Sequence, residues 1–157
     1  MKKILLLSIL YIIPFFNFSQ CISPEMQGVL MAFSETTMGN NYAEDCSMMN
    51  DNWSCDNWMS SFDWTYVLNY ATGFDADDLA MEFETLANND NVSPEMQGVL
   101  MALSETTLYN SWEAEWCSTE GDPWGCEMWL NDFDMFYTGY GTEGFDADDL
   151  AMEFETL

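Results

Sequence analysis

The chain has 157 residues, with 28 Asp and Glu against two basic side chains and no histidine, a formal net charge of −26 at neutral pH. Lys2 and Lys3, the two basic residues, precede every acidic one. Beyond them imidazole catalysis, lysine Schiff bases, arginine clamps and the counterion release that drives nucleic-acid binding are excluded. Carboxylates, amides, hydroxyls, aromatic rings, thioethers and thiols carry what chemistry remains. The partners that fit are a cationic protein or peptide, divalent cations, or neutral glycans. The plain alternative is that the charge serves solubility.

Residues 1–20 read as a secretory signal peptide. Lys2 and Lys3 form a charged start, Ile4 to Phe16 an apolar stretch broken by Ser8 and Pro14, and Asn17 to Gln20 a polar exit. The apolar run falls short of the ~20 residues a spanning helix needs, so no membrane insertion is expected after signal removal. The expected location is secreted, periplasmic or cell-envelope. Cys21 stands where a lipid-anchored cysteine would, but Gln20 is not the small residue that usually precedes one. An unpaired thiol is the expectation there.

The rest of the chain is written twice. SPEMQGVLMA at 23–32 returns unchanged at 93–102, and SETT at 34–37 returns at 104–107. GFDADDLAMEFETL at 73–86 returns at 144–157. The expected organisation is a helical unit over 22–86, a polar linker over 87–91 and a second unit over 92–157. A period this long suits two small domains better than a solenoid.

Three helices are expected in each unit, making the fold all-α. The first starts at Ser23-Pro24-Glu25, a capping residue, a proline suited to the first turn and an acid suited to the positive helix end. Met26, Val29, Leu30 and Phe33 form its inner face, and it should fade near Thr37 to Gly39. In the second helix Trp58, Met59, Phe62 and Tyr66 recur at helical spacing. Its copy should end early at Gly139 and Gly141. The third helix is capped by Asp75, stapled by Phe74 and Leu79, and buries Ala76, Leu79, Ala80 and Phe83.

Units of ~65 residues need a staple. Cys46 with Cys55 and Cys117 with Cys126 keep the same spacing in both copies, so each pair is expected to form a disulfide in an oxidising compartment. A four-cysteine zinc site lacks the usual close pairs. The acidic runs Asp75, Asp77, Asp78 and Asp146, Asp148, Asp149 invite calcium, but they fail as EF-hand loops. Helix capping explains them, leaving at most weakly bound calcium and no other cofactor.

Trp53, Trp58, Trp124 and Trp129 recur around the cysteines and read as core. Trp64, Trp112 and Trp116 do not recur and are the surface candidates. Met31 and Met81, with their copies Met101 and Met152, point away from the inner helix faces and mark a contact surface. The expected function is a non-catalytic binding or interaction protein whose polyanionic surface meets cationic partners. A neutral-glycan module using exposed tryptophans is the second reading, and a carboxylate hydrolase the third.

Overall fold

The computed structural model describes residues 22–49, 52–70, 73–140 and 144–157. Residues 1–20, where a signal peptide is expected, lie outside these residues, as do Cys21 and Gly141. The first half contains α1 (Pro24–Met38), α2 (Tyr42–Met49), α3 (Asn52–Met59), α4 (Phe62–Asn69) and α5 (Ala76–Ala87). The second half matches it with α6 (Pro94–Tyr109), α7 (Ser111–Glu120), α8 (Pro123–Leu130), α9 (Phe133–Tyr140) and α10 (Ala147–Thr156). No strand occurs among the described residues.

The fold is all-α, and each half carries its own disulfide, Cys46–Cys55 and Cys117–Cys126. Among the described residues each half has five helices where the sequence pattern suggested three. The cysteine segment is itself helical, with Cys46 on α2 and Cys55 on α3. The stripe from Trp58 to Tyr66 is divided at Ser60-Ser61, between α3 and α4. Serine hydroxyls compete for helix backbone, and Ser60 Oγ donates to Asn57 O at 3.0 Å. Conversely, α9 does not stop early. It runs to Tyr140, through Gly139, and matches α4 in length. A helical glycine costs about 1 kcal/mol, too little to end a helix fixed by tertiary packing.

The expected helix starts are present. Ser23 and Ser93 cap α1 and α6 by accepting from Met26 N and Met96 N, with proline following each. Asp75 caps α5 through Asp77 N and Asp78 N, and Asp146 caps α10 in the same way. Met26, Val29, Leu30 and Phe33 are buried, as are Ala76, Leu79, Ala80 and Phe83.

The two halves do not pack as separate domains. One continuous apolar core draws on both. α5 lies along α6 of the other half, and α10 lies along α1. Within its own half α5 touches α1 only lightly. Among the other cross-contacts, α4 against α8 and α9 against α3 form a second reciprocal pair.

The aromatic side chains show why. Trp58 is fully buried and donates Nε1–H to Thr37 Oγ1 of its own half at 3.2 Å. Its ring meets Phe133 edge-on at 5.5 Å and Phe145 at 5.5 Å, both from the other half. Trp129 repeats this, with Thr107 in its own half and Phe62 and Phe74 across. Two backbone bonds seal the exchange: Phe74 N donates to Ser118 Oγ and Phe145 N to Ser47 Oγ, each at 3.1 Å.

This shared core should unfold as one unit. Heating followed by circular dichroism and by tryptophan fluorescence should give one coincident transition, and two separable transitions would contradict the packing. Phe33 stacks on Phe62 at 4.3 Å and on Phe154 of the other half at 5.6 Å. Phe33→Ala should therefore destabilise the whole chain by about 3–5 kcal/mol, read from denaturant melts.

Candidate functional site

Two matching clefts flank the molecule. The first, of about 480 Å³, is lined by the start of α1 and by α5 with the turn before it. Its carboxylates are Glu25, Asp75, Asp78 and Glu82. The second, about 280 Å³, presents Glu95, Asp146, Asp149 and Glu153 at the corresponding positions.

Hydrogen bonds from the chain itself hold these acids. Ser23 Oγ donates to Glu82 Oε2 at 2.9 Å while accepting from Met26 N at 3.0 Å. Ser93 N and Ser93 Oγ donate to the two oxygens of Glu153 at 2.7 and 2.6 Å. A glutamate from the body of one helix thus sits at the N-terminus of another, where the helix dipole favours negative charge. Asp75 and Asp146 are spent on their own caps. Glu25, Glu95, Asp78 and Asp149 are the other carboxylates that line the clefts.

Within the acidic runs Asp75 and Asp146 therefore act as caps, Asp78 and Asp149 line the clefts, and Asp77 and Asp148 are exposed second-position residues. Among the described residues no three acidic or cysteine side chains converge as a metal-holding group. Pattern reading singled out the aspartates and missed Glu82 and Glu153 as cleft residues. The signal was available, because both lie in the segment that recurs unchanged and both fall one turn beyond Asp78 and Asp149 on the same helix face.

A third pocket, about 230 Å³, lies between α3 and α8. Matching positions from the two halves line it, Asp56 with Glu127, Met59 with Leu130, and Ser60 with Asn131. Nearby, Asp63 and Asp134 are buried at the starts of α4 and α9. Burial pushes both carboxyls above the ordinary aspartate range, with Glu127 adding to the effect on Asp63 and Asp132 to that on Asp134. At the α4 and α9 exits, Tyr70 donates to Glu35 at 2.8 Å and Tyr140 donates to Glu105. The Glu105 bond pushes the Tyr140 hydroxyl up to about 12.

The tryptophans divide differently from expectation. Trp58 and Trp129 are core, but Trp53 and Trp124 are 59% and 52% exposed. The five-residue step from Trp124 to Trp129 places their side chains roughly 140° apart on one helix, so both cannot face inward. Exposed Trp124 joins two of the surface candidates: Trp116 lies 5.2 Å from Trp112 and 4.9 Å from Trp124. Trp64 is exposed on α4 and is not part of this group. Met81 and Met152 are exposed, whereas Met31 and Met101 are half-buried, with Met101 packed against the core. Met81 lines the first cleft.

No family model matches the chain, and comparisons with curated proteins and with solved structures likewise return no match. Among the described residues, no helix is long and apolar enough to cross a membrane.

The buried aspartates give a pH prediction. Their folded-state pKa lies above the unfolded value, so the stability they contribute is fully present below the unfolded pKa of about 4 and is lost as pH rises through the folded one. Asp63→Asn with Asp134→Asn keeps the acceptor for the following backbone N–H but removes the buried charge. The double variant should melt higher than the native chain at neutral pH. It should also show a smaller gain in Tm on acidification from neutrality towards pH 4, read from melts across that range.

Proposed function

We propose that the protein is an exported, non-catalytic binding module that takes cationic segments of proteins or peptides onto its acidic surface. The single observation that carries this reading is the matched pair of clefts, each with four carboxylates, in a chain with no basic side chain after Lys3. Such a surface has no internal cation to satisfy it, so lysines and arginines of a partner supply what is missing. Calcium acts here as a screening counterion spread over the acids, not as a resident ion in a cage. Export is supported by the leader pattern and by two formed disulfides, which persist in oxidising compartments.

The test is fluorescence anisotropy with a labelled lysine-rich peptide across a salt series. Affinity should fall about tenfold or more between ~0.02 and ~0.3 M salt as exposed charges are screened. Glu25→Gln, Asp78→Asn, Glu95→Gln and Asp149→Asn together remove two of the four carboxylates from each cleft while sparing the caps. This variant should bind about three- to tenfold more weakly at low salt. Salt-independent binding, or binding unaffected by the four substitutions, would overturn the reading.

A further inference from the structure

We propose that Trp112, Trp116 and Trp124 form a site for an arginine side chain of the partner. This rests on the cationic-partner reading above and adds a specific contact to it. Trp112 and Trp116 are four residues apart on α7 and so share one face. Trp124 comes from the first turn of α8.

The covalent frame brings these helices together. Cys117 follows Trp116 and is bonded to Cys126, two residues after Trp124. Gly125 allows the close crossing: a Cβ there would lie 2.9 Å from Cys117 N and 3.3 Å from the carbonyl carbon of Trp116. A side chain at Gly125 would force these two backbones to shift apart. Alignment on the cysteines places Ser54 at the Gly125 position of the first half and Asp45 at the Trp116 position. There Trp53, the counterpart of Trp124, meets Tyr42, which aligns with Glu113. The three-ring group belongs to the second half alone.

Ring geometry and charge select the occupant. Trp112 and Trp116 are tilted by 40°, and Trp116 and Trp124 by 76°. Three rings at such angles make no flat row for a sugar to lie along, but they offer faces and edges to a compact planar cation. Trp112 is 66% exposed and Trp124 52%, so the faces are reachable.

Carboxylates surround them. Glu113 and Glu115 each lie three residues from one of the α7 tryptophans and flank the ridge on either side. Asp122 caps α8 by accepting from Trp124 N at 3.1 Å. A guanidinium can stack on an indole while donating in-plane N–H groups to a carboxylate; an ammonium cannot do both as well.

The experiment compares hexa-arginine with hexa-lysine at equal ionic strength on the intact, disulfide-bonded protein. Hexa-arginine should bind at least about threefold more tightly, an exposed cation–π contribution. Trp112→Ala with Trp124→Ala should abolish that preference and leave hexa-lysine affinity within about twofold. Both rings are on the surface, so the melting curve should stay cooperative. Should the double variant fail to fold, Trp112→Gln alone should reduce the preference by about twofold. Trp64→Ala, outside the group, should leave it intact. Equal affinity for the two peptides, or a preference that survives the double substitution, overturns the arginine site while salt-sensitive binding of both peptides leaves the broader reading standing. Absence of binding by either peptide at low salt overturns both. A neutral oligosaccharide that quenches these tryptophans where hexa-arginine does not would assign the group to glycans and overturn the proposal.

Discussion

Neither half of this protein can cover its own tryptophan. Trp58 and Trp129 are each anchored at home by one indole hydrogen bond to a threonine, yet their ring faces are closed by phenylalanines from the opposite half. The hydrogen bond satisfies the polar edge of a buried indole, and the foreign rings satisfy its apolar face. Everything else follows from that division. α5 and α10 must cross to the other half to bring Phe74 and Phe145 into place, and two serine hydroxyls meet their backbone N–H groups on arrival. The eight-residue helices α3 and α8 are too short to stand alone in water, and the disulfides tie them to α2 and α7 so that the tryptophans are held where the exchange needs them.

The missing cations shape the surface in the same way that the aromatics shape the core. Carboxylates that would meet lysine or arginine elsewhere are held here by serine hydroxyls, tyrosine hydroxyls and helix-start N–H groups. Among the described residues, none of the ten helices has a basic residue in its last turn. Their negative ends are left uncompensated, adding to the field of the side chains. A surface built this way is complete as a fold and incomplete as an electrostatic system. That incompleteness is the physical basis for proposing a cationic partner.

Much of the fold was legible in the sequence, and the parts that were not have identifiable causes. Ser23 and Asp75 announced their helices because capping is a local matter, settled within three residues. The cysteine pairs were readable because their spacing was kept while neighbours changed. The exchange of α5 and α10 was not readable, since an inner face of Ala76, Leu79, Ala80 and Phe83 looks the same whichever half it packs against. The division of α3 from α4 was hidden by an apolar stripe that continues in phase across Ser60-Ser61. Of the candidate sites, the acidic runs were found for their charge, but their capping role leaves them as cleft walls rather than ligand cages. The tryptophan group was half seen. Trp112 and Trp116 stood out as unmatched between the copies. Trp124 was masked by its recurrence, although its five-residue step to Trp129 already set it on the outer face.

The reciprocal packing also makes the peptide link between the halves redundant as a fastener. The connection from Asn88 to Val92 joins α5 to α6, which are already held side by side by their packed faces. At the opposite side α1 and α10 are joined with no adjoining chain at all. A chain nicked within that turn would yield two fragments of five helices each that remain seated on one another. Physically the molecule is a dimer written as a single polypeptide, with the covalent bond fixing the stoichiometry of the two halves rather than their geometry.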